Sequence, residues 1–220
     1  MSGPVLRSRF ITLEGGEGAG KSTLARALAE RLRAMGVSVE LTREPGGSAR
    51  AEAIREAILA GAIKPHGAFA EALMFSAARI DHIDTLIRPA LMRGSWVICD
   101  RFLDSTRVYQ GASGGVDATL LAELEAVTVD GLLPDLTLIL DLDPEIGLRR
   151  AASRRHPGEA SDRFESETLD FHRRLRDAYL AIAAQEPERC LVLDATLSPD
   201  ALADAAWRAI GERLLQPAEV

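Results

Sequence analysis

The chain has 220 residues, 47% of them apolar, enough to bury a substantial core as one domain over 1–220. A formal net charge of −7 argues against general nucleic-acid binding, because no uniformly basic face follows from it. No run approaches membrane-spanning length and the first residues lack a signal-peptide stretch. The expectation is a cytoplasmic protein with no membrane or nucleic-acid partner.

Residues 10–14 (Phe-Ile-Thr-Leu-Glu) form an apolar run with strand character. Gly15-Gly16-Glu17-Gly18-Ala19-Gly20-Lys21-Ser22 follows at once, and a helical pattern covers 21–35. Two glycines with four residues between them, then lysine and serine, between a strand and a helix, read as a phosphate-binding loop. The glycines let backbone N–H groups crowd around a polyphosphate, the helix N-terminus adds partial positive charge, and Lys21 reaches the outer phosphates. Ser22 would put its hydroxyl on Mg²⁺. Residues Gly15 to Ser22, with Thr23, are therefore the candidate site for a nucleoside triphosphate. Only two lysines occur, Lys21 and Lys64, against 24 arginines, so a lysine inside this loop is hard to dismiss as background.

A second strand over 37–41 runs into Thr42-Arg43-Glu44-Pro45-Gly46-Gly47. Helical patterns over 51–60 and 70–92 follow, and a third strand over 95–99 ends in Asp100-Arg101. Asp100, after the apolar Trp96-Val97-Ile98-Cys99, is a Walker-B-like carboxylate able to hold Mg²⁺ directly or through water. Arg43 and Arg101, at strand ends beside the phosphate loop, offer planar guanidinium forks suited to a second phosphate, the acceptor. Beyond 102–111 come a helix over 118–129, a strand over 136–141 and a helix over 145–154. A polar Pro-Gly loop at 156–161, flanked by Arg150, Arg154, Arg155 and Arg163, reads as a small mobile lid at about 150–165 that brings a cation to the transferring group. A helix over 167–185, a strand over 190–194 and a helix over 200–215 complete the chain. Strands separated by helices imply an α/β fold, a parallel sheet with helices on both faces, and ligands at the carboxyl ends of its strands. Cys99 and Cys190 read as buried free thiols; His66, His82, His156 and His172 receive no chemistry.

Taken together, residues 10–23, 42–47 and 100–111 (Asp-Arg-Phe-Leu-Asp-Ser-Thr-Arg-Val-Tyr-Gln-Gly) resemble bacterial thymidylate kinase. The runs 134–145 (Pro-Asp-Leu-Thr-Leu-Ile-Leu-Asp-Leu-Asp-Pro-Glu) and 162–165 (Asp-Arg-Phe-Glu) fit as well, and the resemblance extends from about Phe10 to Trp207. It implies a P-loop NTPase fold with a five-stranded parallel core, a homodimer, and Mg²⁺-dependent transfer of the ATP γ-phosphoryl group to dTMP. Position by position, it implies that Phe75 stacks on thymine, that Arg79 hydrogen-bonds the base, and that Thr106 and Gln110 add base contacts. Tyr109 would lie under the sugar and crowd a 2′-hydroxyl, so Tyr109→Phe should matter little. Arg43, Arg55 and Arg101 would lie near the acceptor phosphate, Pro45 would be among the substrate-binding residues, and Glu17 would lie near the 3′-hydroxyl. Lys21, Arg101, Arg154, Glu17 and Asp100 would be catalytic, with Ser22 and Asp100 at the metal. Arg154 best matches the lid arginine, and Gly18 stands where some relatives carry a basic residue, so Gly18→Arg should partly replace Arg154. Phe102 and Arg107 depart from the family's pattern.

Other readings bear on the choice. A guanine-nucleotide switch needs Asn-Lys-x-Asp, and neither lysine follows an asparagine. A bare ATPase would leave Arg43, Arg101 and Phe75 without a second substrate. Another nucleoside monophosphate kinase would share the fold and donor site, so base choice rests on the carried-over positions.

Overall fold

A computed structural model of the chain describes residues 7–154 and 163–215. Strands β1 (Phe10–Gly15), β2 (Val39–Arg43), β3 (Trp96–Asp100), β4 (Leu136–Asp141) and β5 (Cys190–Asp194) form one parallel sheet in the order β2-β3-β1-β4-β5. The helices are α1 (Lys21–Ala34), α2 (Ala49–Leu59), α3 (Ala68–His82), α4 (Arg88–Met92), α5 (Leu103–Thr106), α6 (Ala118–Val129), α7 (Pro144–Arg154), α8 (Leu169–Gln185) and α9 (Pro199–Leu214). Successive strand side chains point to opposite faces, and β1 therefore serves two cores. Ile11 and Leu13 pack with Leu24, Leu28 and Leu32 of α1 and with Ala206 and Ile210 of α9. Phe10, pointing the other way, packs with Ile87, Ala90, Phe102 and Leu103. Helices cover both faces of the sheet, as expected for an α/β chain whose central strands are apolar throughout.

Several helices start where short polar side chains can accept the first free N–H groups. Ser48 accepts from Ala51 N, Thr168 from Phe171 N and Ser198 from Ala201 N. α1 differs, because its first residue follows Gly20 in the left-handed region, with no side-chain cap. Its N-terminus opens at the carboxyl end of β1, in the crevice that open α/β sheets use.

The structure corrects several expected boundaries. β2 and β3 end later than the runs 37–41 and 95–99, so that Arg43 and Asp100 are paired neighbours in the sheet. The single helix expected over 70–92 begins at Ala68 and is broken by a π-helical turn at Ile83–Ile87. The sequence pattern assigns no element to 102–112, which form α5 and a second π-helical turn, Arg107–Ala112. Such a turn adds one residue per cycle, and here Val108, Tyr109 and Gln110 are all buried in succession. The Pro-Gly loop expected to form the lid, with Arg155, lies outside the described residues.

Candidate active site

The donor side is built from the β1–α1 junction. Lys21 Nζ donates to the carbonyls of Gly15 at 3.1 Å and Gly16 at 2.8 Å, which keeps the ammonium curled inside the loop. Burial and the charge of Arg101 lower its pKa, against the opposing carboxylates of Glu17, Asp100 and Glu14. Ser22 Oγ donates to Asp100 Oδ2 at 2.5 Å, so the expected pair of metal-side residues does meet. A hydroxyl and a carboxylate are hard oxygen donors that suit Mg²⁺, which keeps several waters and takes further oxygens from phosphates. Beside the loop, Gly18, Ala19, Thr23, Arg150 and Ser153 face Ala195 and Leu197 across a groove, and Arg150 Nη1 donates to the Ala195 carbonyl at 3.1 Å.

On the other side of the loop lies a cavity of about 130 Å³ lined by Pro45, Arg55, Phe75, Arg79, Thr106, Tyr109 and Gln110, among others. These residues come from separate segments of the chain. Arg79 Nε donates to Glu44 Oε2 at 2.7 Å, and its Nη2 to the Phe102 carbonyl at 3.0 Å and Thr106 Oγ1 at 3.1 Å. Arg55 Nη1 donates to the Pro45 carbonyl at 2.8 Å, and Gln110 Nε2 to Glu71 Oε2 at 3.5 Å.

Glu17 and Arg101 join the two sides. Arg101 Nη2 donates to Glu17 Oε1 at 2.6 Å, and Tyr109 hydroxyl donates to the same oxygen at 3.0 Å. Burial pushes the Glu17 carboxyl up, but the charges of Arg101 and Lys21 and the Tyr109 hydroxyl outweigh it and hold the pKa at about 2. The Arg101 guanidinium also lies 5.2 Å over the Tyr109 ring. A cation is thus fixed between a phosphate-binding type of loop and an aromatic-walled pocket, an arrangement that can bring two phosphates together.

Arg43 is the exception among the expected acceptor residues. It is exposed at the end of β2, donates to both Glu52 oxygens at 3.0 and 3.1 Å, and lines the groove holding Ser22 and Asp100. The pairing of Arg43 with Asp100 in the sheet carries it to the Ser22 side of the loop. Tyr109 also departs from expectation: its hydroxyl holds Glu17, so shape is not its whole contribution. Gly18→Arg fails on geometry. Gly18 has φ +67°, and a β-carbon there would lie 2.0 Å from the Gly147 carbonyl oxygen. Arg163 is engaged by Glu71 and stacks 4.4 Å over Phe164, which lines the cavity. Arg154 is the last residue of α7, and its side chain lies outside the described part of the chain.

Both family departures acquire reasons. Phe102 is fully buried, edge-on to Phe10 at 4.9 Å and beneath the Arg79 guanidinium at 5.2 Å, so no polar group is needed there. Arg107 pairs with Glu125 at 2.5 Å and Glu186 at 2.6 Å, outside the acceptor pocket.

Three residues that the sequence gives no role of their own take part in the site. Phe164 closes the acceptor pocket against Phe75 at 6.3 Å and Tyr109 at 5.2 Å. Glu14 accepts from Phe102 N at 2.8 Å, Ser105 Oγ at 2.7 Å and Tyr179 hydroxyl at 2.9 Å, under Arg101. His82 stands behind Glu44. Of these, only Glu14 carried a signal, a carboxylate ending an otherwise apolar strand.

Comparison with known proteins agrees with this geometry. The family model described as thymidylate kinase matches residues 13–206. A thymidylate kinase of Rhodopseudomonas palustris (strain ATCC BAA-98 / CGA009) is 60% identical over 214 residues, covering 97% of this chain and 93% of the relative. One from Nitrobacter winogradskyi is 57% identical over 209 residues, covering 95% and 90%. The crystal structure of thymidylate kinase from Ehrlichia chaffeensis superimposes with a TM-score of 0.74 at 33% identity, covering 92% of this chain and 98% of that one. A family model that matches residues 13–206, relatives up to 60% identical over most of both chains and a shared fold have one consequence: the chain belongs to the thymidylate kinase family.

Proposed function

We propose that the chain is a thymidylate kinase, transferring the γ-phosphoryl group of ATP to dTMP to give dTDP and ADP for dTTP and DNA synthesis. The observation that carries the reading is the Arg101–Glu17 pair, which links the phosphate loop to a pocket walled by Phe75, Arg79, Thr106, Tyr109 and Gln110. A dTMP phosphate is already a nucleophile, so the reaction needs positioning and charge neutralisation more than a strong base. Lys21 and the loop N–H groups hold the donor phosphates, and the groove beside Ala195 and Leu197 takes the nucleoside end of ATP. Arg101, with Arg55, orients the acceptor phosphate. Phe75 stacks on thymine, Arg79 donates to a base carbonyl, and Thr106 and Gln110 frame its edge. Glu17 meets the 3′-hydroxyl, and the Tyr109 ring fills the space a 2′-hydroxyl would need. Ser22 and Asp100 would hold Mg²⁺, which would supply neutralisation of phosphate charge when bound.

Arg154 ends the helix seated against the phosphate loop, in keeping with a role as the arginine that meets the transferring group. Its replacement by alanine lowers kcat on the order of 10³-fold, with the KM for dTMP little changed. The reading includes a homodimer. Phe69, Leu73 and Ile80 form one exposed apolar stripe on α3, and Val127 is exposed on α6, which packs beside it. Contiguous apolar surface of this kind suits a second copy of the chain. No described helix is long and apolar enough to cross a membrane. The two buried free thiols fit the cytoplasm, where the reading places the enzyme. The test is ADP release measured with each nucleoside monophosphate in turn. Fast turnover of dTMP, weaker turnover of dUMP and none of AMP, GMP or CMP is expected; equal rates with a purine monophosphate overturn the reading.

A further inference from the structure

The walls of the acceptor pocket are tied together by a side chain that does not line it. His82 lies one helical turn beyond Arg79 on α3 and is completely buried. Its Nδ1 is 3.1 Å from Glu44 Oε1, and its Nε2 is 2.8 Å from Thr42 Oγ1. The other Glu44 oxygen accepts from Arg79 Nε at 2.7 Å. Arg79 and Glu44 expose only 3% and 4% of their side chains, so this contact is desolvated and its geometry is tightly held.

The hydrogen-bond inventory gives His82 a direction. A carboxylate only accepts, so Nδ1 carries a proton and donates to Glu44. That bond turns the carboxylate so that Oε2 faces Arg79 Nε. Arg79 Nη2 is in turn held by the Phe102 carbonyl and Thr106 Oγ1. Among the described residues Nη1 is then the guanidinium nitrogen without a protein partner, on a side chain that lines the cavity. The imidazole is also clamped from above. Gly47 has φ +84°, and a β-carbon there would lie 2.4 Å from His82 Nε2 and 2.5 Å from Thr42 Oγ1. The turn from Thr42 to Gly47 thus rests directly on this ring.

We propose that His82 is a positioning residue of the acceptor site: through Glu44 it sets the plane of the Arg79 guanidinium and with it the preference for a base carbonyl over a base amine. The inference rests on the acceptor being dTMP. A donor held in one plane rewards the 4-oxo group of thymine and rejects the 4-amino group of cytosine; a guanidinium free to turn loses that contrast.

The test uses full-length His82→Ala, His82→Asn and His82→Gln enzymes. Steady-state constants are measured for dTMP, dCMP and ATP, and folding is followed by circular dichroism and thermal melting. The asparagine amide can replace Nδ1–H toward Glu44, whereas glutamine reaches toward Thr42. His82→Ala and His82→Gln are expected to raise the KM for dTMP roughly 10-fold, the worth of one hydrogen bond to a charged group, and to narrow the dTMP over dCMP ratio of kcat/KM. The KM for ATP stays at the wild-type value, and His82→Asn recovers most of the loss. If the alanine variant does not fold, the Asn and Gln pair carries the comparison, and equal dTMP constants in those two overturn the proposal. So does a parallel loss of ATP and dTMP binding, which marks general damage. Wild-type enzyme that fails to turn over dTMP overturns the function itself and this inference with it.

Discussion

Gly18 of the phosphate loop and Gly147 of α7 meet backbone against backbone. A β-carbon on Gly18 would lie 2.0 Å from the Gly147 carbonyl oxygen, and one on Gly147 would lie 2.2 Å from the Glu17 carbonyl oxygen. Neither obstacle is the end of a flexible side chain, so neither can swing away. The helix that ends at Arg154 is therefore seated directly on the loop between β1 and α1.

Gly147→Ala tests that contact. In an open helix the change would gain up to about 1 kcal/mol in propensity. Here the methyl group must displace the loop, and overpacking of this kind costs about 1–3 kcal/mol. The variant is expected to melt below the wild type and to show a higher KM for ATP, with the KM for dTMP less affected. A variant that melts at or above the wild-type temperature with an unchanged KM for ATP shows that the contact relaxes freely. For the same reason Gly18→Arg should restore nothing to an Arg154→Ala enzyme.

What could be read from the sequence was local. The phosphate loop is written within eight consecutive residues because its glycines and lysine act through neighbouring backbone. Asp100 was legible because it ends an apolar strand. Directions set by distant partners were not. Arg107 turns toward Glu125 and Glu186, which lie 18 and 79 positions away in the chain. Arg43 lies outside the cavity lined by Arg79 and Tyr109 because the β2–β3 register places it beside Asp100. His82 is an unremarkable helix residue until the Thr42–Gly47 turn folds over it. Tyr109 and Gln110 could be matched to a family, but the π-helical turn that buries both has no period that a pattern search detects.

Tyr109→Phe follows from the bond to Glu17. The change leaves the ring and its stacking on Arg101 intact, and removes only the hydroxyl that donates to Glu17 Oε1 at 3.0 Å. A hydrogen bond to a charged group is worth about 1.5–3 kcal/mol. A fall of roughly 10-fold or more in kcat/KM for dTMP is expected on that scale, with deoxyribose still favoured over ribose. Tyr109→Ala should lose activity further and accept ribothymidylate relatively better. Measuring both sugars with both variants separates hydroxyl from ring; wild-type activity in the Phe variant would leave the hydroxyl idle.

Glu14 makes stability depend on pH. Burial and the nearby Asp104 carboxylate raise its pKa from 4.5 to about 7, against the opposing Arg101 charge and the hydrogen bonds from Ser105 and Phe102 N. The folded state therefore binds a proton more readily than the unfolded chain between those values. The contribution of protonated Glu14 is fully present below about pH 4.5 and is lost as pH rises through about 7. Glu14→Gln cannot ionise, so its stability relative to the wild type should improve steadily across that window, whatever the constant offset between them. Urea unfolding of both proteins at intervals over the window measures the difference, and Glu17, with a pKa of about 2, does not titrate within it. A difference that stays flat, or falls with rising pH, contradicts the assignment.

Arg107 should behave in the opposite manner to Arg101, although both are arginines on the segment that follows β3. Its side chain is 29% exposed and bridges Glu125 at 2.5 Å, Glu186 at 2.6 Å and Asp104 at 3.4 Å. Asp104 is itself held by Arg189 at 2.8 Å. Removing the Arg107 charge leaves three carboxylates near one another with one cation fewer. Breaking a buried pair costs about 3–5 kcal/mol, and partial solvent access at this site reduces that to roughly 2 kcal/mol. Arg107→Ala is therefore expected to lower thermal stability while leaving kcat, the KM for dTMP and the dTMP over dUMP ratio at wild-type values. Adding Glu125→Gln should return part of the lost stability, because it removes one of the uncompensated charges. Arg101→Ala should show the reverse pattern, a large loss of turnover. A change in base preference in Arg107→Ala would mean that the network reaches the acceptor pocket through Asp104 and the helix that carries Thr106.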